Sequence, residues 1–318
     1  MNIDNDNSIK EESINDEPLQ IPERSISQIS SNSNISFLNK VYNHYSFIFA
    51  IIITFLLSSF IALLTITIMY TNFDYKFILS QLSRYMIISI IQYCCALLVI
   101  HKNVKVNYTR KIIHISYFIF PQLIDILLEY DKTFYTESWN VWIILLLLAM
   151  LSEIIRNKIS FIGTMFKAVD RPEDRPHTLF WFSTQIIAGL CVIIPFSIYF
   201  SSINKIGLIF IPILINGLGD GLAEPVGVYL GKHKYTTKAC CSHREYTRSF
   251  EGSACVFIVS TIIILCYYNY ITLHQYLFCI FTIPISVTFT EAYAPHTWDC
   301  PFIYLVSCLY LVFANELL

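Results

Sequence analysis

One segment in the second half of the chain concentrates residue types that can do chemistry. Residues 216–234 read Asn-Gly-Leu-Gly-Asp-Gly-Leu-Ala-Glu-Pro-Val-Gly-Val-Tyr-Leu-Gly-Lys-His-Lys. If the segment is helical, Asn216, Asp220 and Glu224 recur four residues apart and share one face. Carboxylates inside an apolar stretch are costly and usually face a polar cavity. We predict a Mg²⁺ site at Asp220 and Glu224, because Mg²⁺ prefers a few carboxylates together with substrate phosphates.

The same segment is unusually rich in glycine. It holds five of the nine glycines of the chain: Gly217, Gly219, Gly221, Gly227 and Gly231. Glycine is a poor helix former, so this crowding indicates close approach of the backbone to a ligand or to another helix. The alternative is a helix-packing seam whose acids pair with neighbouring Lys or Arg side chains, and both interpretations remain open.

A basic stretch follows the glycine-rich segment. It combines point charges and a planar guanidinium in the pattern of a phosphate clamp, with Lys232, Lys234, Lys238, Arg248 and Ser249 as its members. The spacing excludes a P-loop, since Gly227 and Lys232 are one residue too close and His233 stands where Ser or Thr is required. A basic loop of this kind can alternatively fix topology or contact anionic lipid.

Three further polar clusters interrupt apolar stretches. They are Arg110-Lys-Ile-Ile-His114, Asp170-Arg-Pro-Glu-Asp-Arg-Pro-His177 and Glu291-Ala-Tyr-Ala-Pro-His-Thr-Trp-Asp299. Arg110 and His114 lie one helical turn apart. Basic residues snorkelling at a membrane surface and a solvated charged turn are the alternatives for the first two clusters.

The composition predicts the setting of these residues. Of 318 residues, 55% are hydrophobic and 14% are charged, with a mean hydropathy of +0.56. A soluble domain would carry about a quarter charged residues. The formal net charge of −2 gives no reason to expect a nucleic-acid partner. The chain is therefore predicted to be an integral membrane protein.

Long apolar runs predict an all-α polytopic protein with about nine transmembrane helices. The predicted spans are 46–70, 85–101, 112–128, 139–155, 179–200, 207–230, 253–269, 272–290 and 300–317. Residues 1–44 are rich in Ser, Asn, Asp and Glu and predict a disordered tail. Residues 45–318 are predicted to form a membrane-embedded catalytic domain.

The charges of the loops predict an orientation. Loops 101–111, 153–178 and 231–250 are basic, whereas loop 129–138 is mainly acidic. The positive-inside rule then places the basic loops and the N-terminal tail in the cytoplasm. All the polar clusters fall on that side, so we expect a cytoplasm-facing site where a phosphate-rich soluble donor meets a lipid acceptor. Two glycosylation sequons, at Asn34 and Asn107, also fall there and are predicted to stay unmodified.

The order of these motifs resembles the CTP-dependent lipid-alcohol kinases, the family of dolichol, phytol and farnesol kinases. The resemblance rests on Arg110-Lys-x-x-His114, Gly219-Asp-Gly-x-Ala-Glu224, Gly231-Lys-x-Lys234 and Arg248-Ser-Phe-Glu-Gly-Ser253, and covers roughly residues 84–318. The stretch Glu153-x-x-Arg156, followed by Lys167 and Arg171-Pro-Glu173, also resembles the charged loop of this family. The resemblance implies transfer of the γ-phosphoryl group of CTP to the hydroxyl of an isoprenoid alcohol, with Mg²⁺. The absence of a signal peptide and a reducing cytoplasmic face fit an endoplasmic reticulum membrane, with an organelle envelope or a bacterial inner membrane as alternatives.

The resemblance also implies roles for individual residues. Asp220 would coordinate the metal or orient the nucleophile, with Glu224 assisting, and Arg110 and His114 would lie near the phosphate or the lipid hydroxyl. The residues implied to hold the nucleotide are Lys232, Lys234, Arg248, Ser249, Gly219 and Gly221. The sequence departs from the family at Arg248, where many relatives have Lys, and in residues 239–246, which lengthen the phosphate loop.

Other classes of protein remain open on the same residues. A phosphatidate cytidylyltransferase has a similar glycine and aspartate motif and would release pyrophosphate from CTP. A CTP-dependent diacylglycerol kinase would differ only in its acceptor. A transporter would use Asp220 and Glu224 to bind a cation at a broken helix.

Overall fold

Apolar helices account for most of the chain that a computed structural model describes, which comprises residues 57–62, 65, 75–130, 134–238, 245–295 and 298–317. The helices are α1 (Tyr75–Lys102), α2 (Val106–Leu128), α3 (Phe134–Met150), α4 (Glu153–Lys158), α5 (Ser160–Phe166), α6 (Thr178–Ser202), α7 (Phe210–Leu214), α8 (Gly221–Tyr229), α9 (Phe250–Cys266), α10 (Leu273–Tyr293) and α11 (Asp299–Leu317). The architecture is that of a predominantly α-helical membrane protein, as predicted.

Six helical segments are long and apolar enough to cross a membrane within the described residues. They are α1, α2, α6, the continuous rod Ile206–Tyr229, α10 and α11. Two more predicted spans correspond to the shorter apolar helices Trp139–Met150 and Phe250–Cys266. The predicted span 46–70 lies largely outside the described residues, and the predicted tail 1–44 lies entirely outside them. The membrane class is confirmed, whereas the count of nine is not.

The rod Ile206–Tyr229 is the most enclosed of the six spans. In its most apolar 18-residue stretch 61% of the residues are buried, against 44% or fewer in the other five. It contacts α2, α9 and α11 along its length. Apolar side chains from the rod and from α6, α9, α10 and α11 form the main core, with Phe200, Ile211, Ile215, Val256, Ile264, Ile283, Val287 and Ile303 almost fully buried.

Two of the surrounding helices begin at well-defined caps. Thr272 and Gln275 form a reciprocal capping box at the start of α10, in which each side chain accepts a hydrogen bond from the backbone N–H of the other residue. Ser249 caps α9 by accepting a hydrogen bond from the N–H of Gly252 at 3.1 Å. The Ser249 cap fixes where the basic stretch ends and the apolar helix begins.

The predicted basic loop contains a small β-hairpin that the all-α prediction did not include. Strands β1 (Lys234–Lys238) and β2 (Glu245–Ser249) pair antiparallel, with Lys234 opposite Ser249 and Tyr235 opposite Arg248. The hairpin packs on the bundle through one face, where the Thr237 hydroxyl donates to the carbonyl of Ala292 at 3.0 Å. The basic residues of β1 and β2 are therefore held on a rigid element at the end of the bundle.

Candidate functional site

The rod changes its helical pitch within the glycine-rich segment. Residues Ile215–Asp220 form a π-helical turn, and α8 continues directly from it. Such turns are rare and recur at functional sites. Asn216 is fully buried and Asp220 is 3% exposed. The carboxylate of Asp220 is thus enclosed by neighbouring helices, and the side chains of those helices determine which groups contact it.

The glycines of the rod allow α2 to approach it closely. A Cβ atom added at Gly217 would lie 2.5 Å from Cβ of Phe118, and one added at Gly221 would lie 2.5 Å from Cγ1 of Ile115. Real side chains do not tolerate such distances, so both positions require glycine. At Gly219 the nearest atom would be 3.7 Å away, which is ordinary contact. The packing-seam interpretation therefore accounts for Gly217 and Gly221, and the predicted nucleotide contacts of Gly219 and Gly221 stay predictions.

Lys111 of α2 holds the carboxylate of Asp220. Its Nζ atom donates to Oδ1 at 2.9 Å, to Oδ2 at 3.0 Å and to the backbone carbonyl of Asp220 at 3.0 Å. Both side chains are about 95% buried. A buried ion pair is maintained only when its geometry is good and its remaining groups are hydrogen-bonded. Lys111 lies inside the Arg110–His114 motif, yet the sequence analysis gave it no role.

Glu224 receives a hydrogen bond on each carboxylate oxygen. Arg110 donates to Oε2 at 2.9 Å, and Asn107 donates from its side-chain amide to Oε1 at 2.8 Å. Lys111 Nζ lies 3.9 Å from the same Oε2 atom, so its ammonium group sits between Glu224 and Asp220. Asn107, Arg110 and Lys111 are three or four positions apart, or adjacent, so they share one face of α2. This face supplies all the groups that contact the carboxylate of Glu224 in the described structure.

His114 completes the contact between α2 and the rod. Its Nε2 atom lies 3.2 Å from the carbonyl oxygen of Asn216 and 3.4 Å from Oδ2 of Asp220. The sulfur of Cys300 joins this pair, and one ligand atom from each of His114, Asp220 and Cys300 falls within 4.8 Å of the others. Imidazole and thiol ligands suit zinc and similar metals better than Mg²⁺, which takes oxygen ligands.

Two more carboxylates reach this region from α10 and α11. Glu291 is 4% exposed and pairs with Arg248 of β2. Asp299 interacts electrostatically with Asp220, and its Oδ1 atom accepts hydrogen bonds from the Gln185 amide at 3.3 Å and from the N–H of Cys300 at 3.1 Å. The register of the hairpin thus brings Arg248 to Glu291, and its predicted role in a phosphate clamp stays a prediction.

These residues form what we call the central charge cluster, consisting of Arg110, Lys111, His114, Asp220, Glu224, Arg248, Glu291 and Asp299. Three acids pair with three permanent cations in the arrangement Lys111–Asp220, Arg110–Glu224 and Arg248–Glu291. Asp299 has no ion pair within 4 Å in the part of the chain that the structure describes. The formal balance leaves one unpaired carboxylate, which a bound cation or a proton would neutralise.

The lysines of the predicted clamp lie outside this cluster. The side chains of Lys232 and Lys234 are exposed, and no described residue forms an ion pair with either one. The loop backbone is held instead by Glu251, whose Oε1 atom accepts from the N–H groups of Lys232 at 3.1 Å and His233 at 3.2 Å. The hydrogen bond from the His233 ring holds the pKa of Glu251, which precedes the predicted span 253–269, at about 2.

Ser249 has a structural partner that the sequence analysis did not anticipate. Besides capping α9, its side chain lies against the rod, where a Cβ atom at Gly227 would be 2.7 Å from the Ser249 hydroxyl. A Cβ atom at Gly252 would lie 2.9 Å from the carbonyl oxygen of Ala223. The start of α9 therefore packs directly on α8, which fixes the hairpin relative to Asp220 and Glu224.

No protein-family model, curated protein or solved structure matches the chain.

The predicted site residues divide into two groups. The four predicted catalytic residues form two direct contacts, Arg110 with Glu224 and His114 with Asp220, and Lys111 links the two pairs. Arg248 pairs with Glu291. Lys232, Lys234 and Ser249 lie along the neighbouring hairpin. The polar cluster Asp170–His177 is paired within itself, since Asp170 pairs with Arg175 and Arg171 pairs with Asp174. Arg171 and Asp174 are buried, so the segment is more than the solvated charged turn given as the alternative.

Proposed function

We propose that the protein transfers the γ-phosphoryl group of CTP to the hydroxyl of an isoprenoid alcohol at the surface of a membrane. The observation that carries this proposal is the convergence of Asp220, Glu224, Arg110 and His114 at the same end of the bundle as a hairpin with unpaired lysines. A membrane-embedded group of charges suits a lipid substrate, and the exposed Lys232 and Lys234 suit a soluble, phosphate-rich donor. The choice of CTP and of an isoprenoid rests on the family resemblance.

Phosphoryl transfer needs positioning and charge neutralisation more than covalent chemistry. The lipid oxygen would attack the γ-phosphorus while the bond from that phosphorus to the β–γ bridging oxygen breaks and CDP leaves. Arg110 and Lys111 would stabilise negative charge on the transferred group once their hydrogen bonds to Glu224 and Asp220 are shared with it. His114 would orient the attacking hydroxyl beside Asp220, whose carboxylate would accept the hydroxyl proton as the new O–P bond forms.

The donors present also fit a divalent cation, although with a different set of residues from the one the sequence predicts. The oxygens of both Glu224 and Asp220 already accept hydrogen bonds, from Asn107 and Arg110 in the first case and from Lys111 in the second. Asp299 has no cationic partner within 4 Å among the described residues, and its charge acts on Asp220. We propose that Asp220 and Asp299 would hold Mg²⁺ once Lys111 shares its hydrogen bonds with a phosphate group, with Glu224 positioning Arg110. A bound Mg²⁺ ion supplies neutralisation of phosphate charge.

The direct test uses the purified protein in phospholipid nanodiscs with Mg²⁺ and CTP labelled on the γ-phosphate. Farnesol, phytol, dolichol, diacylglycerol and phosphatidate are offered separately. Label recovered in the lipid phase with an isoprenoid alcohol supports the proposal and names the acceptor. Label transferred only to diacylglycerol keeps the chemistry and changes the acceptor. Release as pyrophosphate with phosphatidate identifies a cytidylyltransferase, and the absence of any transfer refutes the proposal.

A further inference from the structure

A second polar site lies on the connection between α3 and α6, away from the central charge cluster. The connection was predicted as a basic loop, but it folds into α4 and α5, which enclose a cleft of about 570 Å³. The cleft is lined by Glu153, Arg156, Asn157, Lys158, Ser160, Gly163, Thr164, Phe166, Lys167 and Asp170. Ligand sites commonly have volumes of about 300–1,000 Å³, and most are apolar. This one is polar, so its ligand must be polar too.

The charges in the cleft favour an anion. Arg156, Lys158 and Lys167 have no ion-pair partner among the described residues, while Asp170 is already neutralised by Arg175 at 2.9 Å. Glu153 is then the one acid left to oppose three cations. Unpaired cations of this kind repel one another, and a multiply charged anion bound among them would relieve that repulsion.

Arg156 is oriented for such a ligand. Its guanidinium carbon lies 3.7 Å from the centroid of the buried Phe166 ring, which fixes the plane of the guanidinium group. Its Nε atom is buried and has no hydrogen-bond partner within the described part of the chain, a state it shares with the Nε atoms of Arg84, Arg110 and Arg248. Gly163 permits this arrangement, because a Cβ atom there would lie 2.9 Å from the carbonyl oxygen of Arg156. A fixed planar fork with an unsatisfied donor matches the geometry of a phosphate group.

Exposed apolar side chains lie beside the polar lining of the cleft. α5 packs on the second half of α1, where the rings of Tyr93 and Phe161 stack at 5.0 Å and the Gln92 amide donates to the carbonyl of Met165 at 3.4 Å. Ile159 and Phe161 remain about half exposed beside the polar lining. Apolar side chains next to basic ones are typical of a membrane interface.

The cleft is anchored to α2 on a different face from the central charge cluster. The buried hydroxyl of Thr109 donates to the carbonyl of Ala168, next to Lys167, at 2.8 Å. Thr109 and Lys111 are two residues apart and therefore point about 200° apart around α2. The cleft and the central charge cluster therefore contact the same turn of α2, but from different sides of the helix.

We propose that this cleft binds a phosphate group, carried either by an anionic lipid headgroup or by a soluble phosphate compound. The proposal does not depend on the kinase activity proposed above, because no residue of the cleft belongs to the central charge cluster. Arg156 would supply the planar fork and Lys158 and Lys167 the point charges.

The test compares two double variants with equal changes of charge. Lys158→Ala/Lys167→Ala removes two exposed cations of the cleft, and Lys102→Ala/Lys105→Ala removes two exposed lysines at the same end of the bundle. One arm measures binding of inorganic pyrophosphate by the full chain in phosphatidylcholine nanodiscs, using equilibrium dialysis. The other adds phosphatidate to the nanodisc and counts the lipids retained per chain by native mass spectrometry.

We expect the cleft variant to weaken binding about tenfold or more in at least one arm, and the control to stay close to the parent protein. Loss of pyrophosphate binding identifies a soluble phosphate ligand, and loss of phosphatidate alone identifies a lipid headgroup. Equal binding by the two variants in both arms overturns the proposal, as does the absence of binding by the parent protein in both arms. Because the substituted lysines are exposed, loss of folding is not expected in either variant, and thermal unfolding checks this.

Discussion

Helix α2 carries a buried charge cluster at each end, and the two clusters are built differently. Near its start, Arg110 and Lys111 belong to the central charge cluster. Near its end, Asp125 pairs with Arg84 of α1, and both side chains are less than 10% exposed. Lys111 and Asp125 are 14 residues apart, which corresponds to about 21 Å along the helix. The two clusters thus lie towards opposite faces of the bundle.

The Arg84–Asp125 cluster is closed in the sense that its charges are balanced, although the Nε atom of Arg84 has no hydrogen-bond partner among the described residues. The guanidinium group of Arg84 pairs with Asp125 and also donates to Oδ1 of Asn140 at 2.9 Å and to the Tyr130 hydroxyl at 2.9 Å. The Ser80 hydroxyl donates to Asp125 at 3.1 Å. One cation and one anion are balanced, and their partners come from α1, α2, α3 and the residues after α2. This arrangement ties helices together.

The central charge cluster is open by comparison. It has one more carboxylate than permanent cations, and Lys232 and Lys234, which form no ion pair with any described residue, lie beside it at the start of the hairpin. The two buried charge clusters of this helix bundle therefore have different roles. A balanced cluster holds structure, whereas an unbalanced one beside free cations is equipped to exchange its internal partners for a ligand.

The largest effect that separates the two clusters is expected from neutralising one acid in each. Asp220→Asn should reduce phosphoryl transfer about 10³-fold, because it removes a charge at the reacting centre. Asp125→Asn should leave the activity of the folded protein nearly unchanged and lower its stability. Initial rates and thermal unfolding of both variants measure this, and near-parent activity of Asp220→Asn would remove Asp220 from the proposed site.

The next effect concerns the stability of the closed cluster. Arg84→Ala leaves Asp125 buried without its cation and should destabilise the protein by about 3–5 kcal/mol. The double variant Arg84→Met/Asp125→Leu should recover a large part of this loss, because no unpaired charge remains. Unfolding midpoints in detergent measure both variants. If the double variant is as unstable as the single one, the ion pair is not the main contribution of these residues.

The smallest expected effect tests whether Gly221 is required for helix packing or for contact with a nucleotide. Gly221→Ala should destabilise the protein by about 1–3 kcal/mol, because its Cβ atom would lie 2.5 Å from Ile115. Gly219→Ala is the matched control, since its nearest neighbour would be 3.7 Å away. Unfolding midpoints and the KM for CTP are measured together. A raised KM with unchanged stability in Gly221→Ala would instead favour a nucleotide contact at this position.

The sequence predicted the residues of the site better than their partners. Asp220, Glu224, Arg110 and His114 could be found because each interrupts an apolar run or follows a spacing of one helical turn. The role of Lys111 could not, because only the packing of α2 on the rod shows that it reaches both acids. Asp299 was noticed as part of a polar cluster, but its lack of an ion pair depends on where α11 begins relative to Asp220.

Other features were missed for different physical reasons. Arg84 and Asp125 are 41 residues apart and lie singly in apolar helices, so no local pattern joins them. The hairpin had a local signal in Tyr235, Thr236 and Thr237, residue types that favour strands, but their basic neighbours led to a loop prediction. The shorter helices Trp139–Met150 and Phe250–Cys266 show that an apolar run alone does not determine the length of a helix.

The π-helical turn at Ile215–Asp220 determines how the residues after it are rotated around the helix axis relative to the residues before it. A π turn holds one residue more than an α-helical turn, so the two halves of the rod are offset from each other around their common axis. If the same residues formed an unbroken α-helix, the downstream half would be rotated by about 100° relative to the upstream half. Asp220 and Glu224 would then turn away from Lys111 and Arg110, even though every side chain was still present. The chemistry of this end of the bundle therefore depends on the number of residues in one helical turn as much as on their identity.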